Sequence, residues 1–251
     1  MVTAMPAPGI RDRFARLSVA DPASLIRHPS PNFGPRRDGV QPDMIVLHYT
    51  GMDNADAALE RLCDPEAEVS AHYFICEDGK IRQLVEEDMR AWHAGAGQWG
   101  DVTDVNSRSI GIELVNTGAH PFPEPQMAAL GGVMRGIMAR LHIRPERVIA
   151  HSDMAPMRKS DPGLRFDWRR LALEGLSIWP RPAVPAGDFL DAARRFGYPV
   201  AEGDTDDAAP ILSAFRQRFR PWAAGALDDT DRALMADLAA RFPVDRARHG
   251  A

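Results

Sequence analysis

Two apolar tripeptides, each followed at once by a histidine, constrain this chain more than any other feature. Ile45-Val46-Leu47 runs into His48, and Val148-Ile149-Ala150 runs into His151. The first run is bounded by Pro42-Asp43 and Thr50-Gly51, the pattern of a short buried strand. If the two strands are neighbours, both imidazoles converge at one edge of a sheet, where ligands of α/β proteins usually collect. Asp161 follows in the polar turn MRKSDPG and can fold back toward them. Two His and one carboxylate with an open fourth position are the donor set of a catalytic Zn²⁺. Each residue also has a plainer reading. A histidine beside a strand often caps or packs, and an Asp before Pro is a turn former. The spacing of His48 and His151 matches no short metal motif.

The rest of the chain supplies material for a mixed sheet and its helices. Residues 54–62 predict a short helix capped by Asn54 or Asp56. In HYFICEDGKIRQLV, two β-rich runs flank Asp78-Gly79, a hairpin signal. SIGIELVN alternates, with Ile110, Ile112 and Leu114 on one face and Gly111 and Glu113 on the other. Residues 124–142 have amphipathic helical spacing, and residues 166–176 look helical. The expectation is an α/β fold, a mixed central sheet flanked by helices, over residues 1–179, with residues 1–40 as an extended Pro- and Arg-rich lead-in. The Pro-rich stretch 180–187 reads as a linker. Beyond it, residues 188–251 predict a small three-helix domain, with helices at 188–197, 207–219 and 229–241.

Composition narrows the function. The net charge of -5 leaves no basic footprint for nucleic acid. Two cysteines, Cys63 and Cys76, support neither a disulfide scaffold nor a Cys-rich metal site, so the histidines become the interesting residues. No apolar run approaches the roughly 18 residues of a membrane span. Arg11, Asp12, Arg13 and Arg16 interrupt any secretory apolar stretch, and no lipobox-like Cys lies near the start. The expectation is a cytoplasmic protein, with the periplasm as the alternative. Lysine occurs only at Lys80 and Lys159 in a chain rich in arginine, so a compact ammonium is kept at very few places.

Glu113 stands among apolar residues. A desolvated carboxylate has a raised pKa and suits a general base; a solvent-facing Glu on a half-exposed strand is the alternative. His72 and His93 could bind substrate or be structural. Trp92, Trp99 and Trp168 could line a sugar cleft or fill the core.

Together MIVLHYTGM, SAHYFICEDGKIRQLV, RAWHAG, NSRSIGIELVN, VIAHSDMAPMRKSDPG and FDWRRL resemble the zinc-dependent N-acetylmuramoyl-L-alanine amidases of the AmpD/AmiD type. That superfamily includes the peptidoglycan recognition proteins. The resemblance runs from about Pro29 to Trp179 in the expected order. AFRQRF and GALDDTDRAL resemble a three-helix peptidoglycan-binding module, which places the whole chain nearest the AmiD branch. The resemblance implies Zn²⁺ on His48, His151 and Asp161, with Glu113 as general base and Lys159 assisting the tetrahedral intermediate. Tyr49 and His93 match positions beside the cleft, and His72 and Trp92 join them as candidate substrate contacts. The activity implied is hydrolysis of the amide between N-acetylmuramic acid, or its 1,6-anhydro form, and L-alanine, in wall recycling or turnover. The partner implied is a peptidoglycan fragment, with a monomer by default. A non-catalytic peptidoglycan-binding protein is the alternative.

Overall fold

The computed structural model describes residues 25–181, 187–201 and 208–244. The first part of the expected lead-in, residues 1–24, and most of the expected linker, residues 182–186, lie outside the described residues. The strands are β1 (Leu25–Arg27), β2 (Phe33–Pro35), β3 (Met44–Tyr49), β4 (Tyr73–Ile75), β5 (Ile81–Gln83), β6 (Met89–Ala91), β7 (Ser109–Leu114) and β8 (Val148–Ala150). Six of them make one sheet in the order β1-β5-β4-β7-β3-β8, and β2 pairs with β6 apart from it. The sheet is mixed: β4 and β5 are antiparallel around the Asp78-Gly79 turn, while β3 runs parallel to both β7 and β8. The chain is thus an α/β protein with a mixed central sheet, as its sequence predicts.

The helices are α1 (Ala55–Cys63), α2 (Val105–Arg108), α3 (Glu124–Leu141), α4 (His151–Met154), α5 (Trp168–Leu173), α6 (Phe189–Phe196), α7 (Ala208–Phe219) and α8 (Asp229–Arg241). Their starts follow capping chemistry. The Asn54 side chain accepts from the Ala57 N–H at 2.9 Å, and Asp228 closes a capping box with Asp231 at the head of α8. Two local features differ from the sequence reading. The helix expected over 166–176 is limited to α5, because Asp167 caps it and Gly175 follows it. β1 and β2, three residues each, form in the lead-in, where no period announces them. The strand expected over Val148-Ile149-Ala150 forms as β8, and His151, directly after it, opens a helical turn.

Side-chain alternation across β3 and β7 divides the interior into two apolar layers. Ile45, Leu47, Ile110, Ile112 and Leu114 face α3 through Leu130, Met134 and Ile137. Met44 and Val46, on the other face, join Ile149, Trp99 and the C-terminal helices in a second cluster. Phe189, Phe196, Phe215 and Phe219 are at most 1% exposed there, and each such burial contributes about 1.5–3 kcal/mol. The three C-terminal helices therefore share a core with the sheet. Gly197, at φ +136°, shows how close the fit is: a Cβ there would stand 2.5 Å from the Trp99 ring.

Candidate metal centre

The parallel registers bring the two histidines together. Leu47 pairs with Ala150, so His48 and His151 leave adjacent strands at the same level. His48 also pairs with Glu113 on β7, and parallel partners point to the same face. Asp161 reaches them because the loop after α4 turns back, its carbonyl accepting the Ser152 N–H at 3.0 Å. His48 Nδ1 and His151 Nδ1 stand 2.9 Å apart, and Asp161 Oδ2 lies 3.0 Å from each. All three residues are buried.

The outer nitrogens fix the tautomers. His151 Nε2 faces the Ala94 carbonyl at 2.9 Å, and a carbonyl only accepts, so that nitrogen carries the proton. On the other ring the chain of donors is longer. The Ser109 hydroxyl donates to the Val105 carbonyl at 2.6 Å and so accepts from His93 Nε2 at 3.2 Å. His93 Nδ1 then accepts from His48 Nε2 at 3.0 Å. Both Nδ1 atoms are left as lone pairs, and both face a carboxylate oxygen. Three acceptors this close repel one another unless a cation lies between them. Donor type, number and orientation fit a divalent ion of the zinc class. Burial and the neighbouring His151 hold His48 down to about 4, so it stays neutral and able to ligate at physiological pH.

Gly111 makes room for the relay. A Cβ at that position would sit 2.4 Å from the His93 ring, so only glycine lets the imidazole lie against β7. Asn106 Oδ1 accepts from the His93 and Ala94 N–H groups and holds the loop that carries the Ala94 carbonyl. These supporting residues (Asn106, Ser109 and Gly111) carry no recognisable spacing, and the sequence reading missed their roles.

A cavity of about 360 Å³ opens over the three donors. Glu113 lines it, and its Oε2 is buried without a hydrogen-bond partner. Burial, with Asp161 adding like charge, pushes this carboxyl up to about 8. Lys159 lines the same cavity, as do Tyr49, Trp92 and His93. The Tyr49 hydroxyl meets Ser160 Oγ at 3.2 Å. His72 is not brought to the cavity. It is fully buried: Nδ1 accepts from the Gly111 N–H at 2.9 Å, and Nε2 faces the Met89 carbonyl at 3.1 Å. Its part is to tie strands together, so the sequence expectation of a substrate contact is corrected. Trp99 and Trp168 belong to the core.

An orphaned, proton-holding carboxyl beside a buried His-His-Asp triangle is the equipment of a metallohydrolase. A profile of the family described as N-acetylmuramoyl-L-alanine amidase matches residues 38–164, a span holding every residue of the cavity's chemistry. The chain belongs to that amidase family. The amidase is 36% identical to the N-acetylmuramoyl-L-alanine amidase AmiD of Escherichia coli (strain K12) over 225 residues, covering 77% of this chain and 80% of that one. It is also 36% identical to the 1,6-anhydro-N-acetylmuramyl-L-alanine amidase AmpD of Salmonella typhimurium (strain SL1344) over 169 residues, covering 60% of this chain and 90% of AmpD. Among solved structures, AmpDh3 from Pseudomonas aeruginosa in complex with an anhydromuramic pentapeptide superimposes with a TM-score of 0.73 at 32% identity. That match covers 82% of this amidase and 94% of AmpDh3. No helix among the described residues is long and apolar enough to cross a membrane.

Proposed function

We propose that the amidase uses one zinc ion to hydrolyse the bond between the lactyl group of N-acetylmuramic acid, in its 1,6-anhydro form, and the L-alanine of a stem peptide. The observation that carries this reading is the triangle of three facing acceptors beside the unpartnered Glu113 oxygen. His48 Nδ1, His151 Nδ1 and Asp161 Oδ2 would hold the zinc, which supplies a Lewis acid for the amide carbonyl and the attacking water. In its ionised form, which a cation on the three donors would favour, Glu113 accepts the proton of that water. Its poorly solvated, unpartnered oxygen lets it hold that proton and return it to the departing L-alanine amine. Lys159, at the cavity wall, offers its ammonium to the oxyanion that develops on the carbonyl. His93 keeps the His48 lone pair turned inward through the relay to Ser109. Tyr49 and Trp92 line the walls against which sugar and peptide rest.

A second reading, intact sacculus as substrate, rests on another observation. Tyr49 and Ser160, which line the metal cavity, also border a larger groove of about 950 Å³ whose other residues include Leu212, Ser213 and Gln217 of α7. Such a groove suits a longer peptidoglycan fragment, with the C-terminal helices as its far wall. Mass spectrometry of digests separates the two readings. Purified sacculi and a soluble anhydro-muropeptide are each treated with the amidase, with and without a zinc chelator. Chelator-sensitive release of free stem peptide, faster from the anhydro-muropeptide, is the expected result. Preferential release from sacculi would assign the enzyme to wall turnover. Intact substrates after treatment with the zinc-loaded protein would overturn catalysis and leave a binding protein. Cell fractionation adds a further check, since recycling of anhydro-muropeptides goes with the cytoplasm and wall turnover with the periplasm.

A further inference from the structure

Two residues beyond the ligand His151, a second buried charged cluster crosses from the sheet to the C-terminal helices. Asp153 is fully buried. Its Oδ2 accepts from the Ala150 N–H at 2.8 Å and from Arg218 Nη1 at 2.5 Å. Its Oδ1 accepts from the Tyr198 hydroxyl at 2.7 Å. Arg218, on α7, also donates from Nη2 to the Val148 carbonyl at 2.7 Å. The backbone groups pinned in this way, the Val148 carbonyl and the Ala150 N–H, lie at the junction where β8 ends and α4 begins. His151 is the first residue past that junction, so the direction of its ring follows the backbone there.

Fastening the helices to the sheet would not by itself require this cluster. Phe196, Phe215, Phe219 and Trp99 already do that. A buried ion pair is commonly no better for stability than apolar side chains of the same volume. Arg218 even leaves its Nε buried without a partner. What the cluster supplies is direction, since its bonds admit only one placement of the strand–helix junction. We infer that Arg218 and Tyr198 are positioning residues of the metal centre: through Asp153 and Val148 they hold the β8–α4 junction and so aim His151 Nδ1 at the metal. The C-terminal helices would then serve the chemistry as well as the groove. This inference rests on the zinc reading above.

The test uses the full chain and three variants, Arg218→Met, Tyr198→Phe and Phe215→Leu. Arg218→Met keeps much of the side-chain volume, Tyr198→Phe removes one hydroxyl, and Phe215→Leu loosens the same core away from the cluster. Zinc affinity and dissociation rate are measured by competition with a chromophoric chelator, and thermal midpoints on the same samples. Losing an outer partner of a metal site costs about tenfold to a hundredfold in affinity. Arg218→Met should fall in that range, with Tyr198→Phe at its lower end. Phe215→Leu should lose thermal stability and keep wild-type zinc affinity. Zinc held equally tightly by wild type, Arg218→Met and Tyr198→Phe would overturn the inference, and so would an equal loosening in Phe215→Leu. Amide exchange at Ala150, measured without metal, tests the clamp independently of zinc: it should speed up in Arg218→Met, and wild-type protection there would also overturn the inference. A wild-type protein that binds no zinc would overturn the functional reading instead.

Discussion

The two buried carboxylates that flank α4, Asp153 and Asp161, stand in opposite circumstances. Asp153 meets only donors: an arginine, a tyrosine and a backbone N–H. Asp161 meets two imidazole lone pairs across 3.0 Å and opens onto a cavity. The first is complete within the protein. The second is incomplete until something positive arrives from outside. The difference separates a group that holds neighbouring backbone in place from a group left open to take a ligand, although both are buried acids in one short stretch of chain.

Substitution breaks the contrast most sharply. Asp161→Ala should abolish hydrolysis and drop zinc content, read by metal analysis, from about one per chain toward zero. Asp153→Ala leaves Arg218 buried and unpaired, which costs about 3–5 kcal/mol and should lower the melting temperature by roughly 10 °C. In metal-free protein Asp161→Ala should melt no lower than wild type, since it removes only a repelling acceptor. Equal destabilisation by the two would show that Asp161 is also held for structure. Next in size is Glu113→Gln. It should retain zinc and lose about 10²–10⁴-fold in kcat, and loss of the metal in that variant would move Glu113 to a structural role.

Lys159→Arg should lower kcat about tenfold with zinc unchanged, because a planar guanidinium follows the oxyanion less well than an ammonium. Equal turnover at saturating substrate would remove Lys159 from the mechanism. The smallest effect concerns pH. The Glu113 carboxyl titrates at about 8 in the folded protein against 4.5 as its ordinary value. Between those values the metal-free folded state keeps a proton that the unfolded state has lost, so stability falls as pH rises through that window. Glu113→Gln should therefore melt a few degrees above wild type at pH 9 and together with it at pH 4. Identical melting at pH 9 would refute the raised pKa.

The two acids also differ in how far the sequence discloses them. His48 and His151 are legible because each ends an apolar run, and a register of parallel strands does the rest. The sequence leaves Asp161 open between ligand and turn former; the backbone bond that folds its loop back links residues that no local pattern relates. Glu113 is legible from alternation as a residue on the opposite face, but the burial of its unpartnered Oε2 beside the three donors depends on the tertiary fold. The three C-terminal helices are announced by their caps and spacing. Their shared core with the sheet is not, since an apolar face does not say what it will meet. Asp153 and Arg218 are 65 positions apart, and only the fold pairs them. His72 misleads for the converse reason: its backbone partners are invisible until the strands are in place.

The fit of Trp99 against Gly197 bears on how such a protein can change over generations. A segment that carries its own closed interior can be traded between genes like a bead on a string. Here the indole of one part packs against a residue without a side chain in the other, and meets Phe196 and Tyr198 edge to face. A C-terminal third with any side chain in place of Gly197 would collide with the indole. It would strip cover from Met44, Val46 and Ile149 in the sheet that carries the chemistry. Within this chain the two parts are thus fitted to one another, and a change at the Trp99–Gly197 contact is felt on both sides of it.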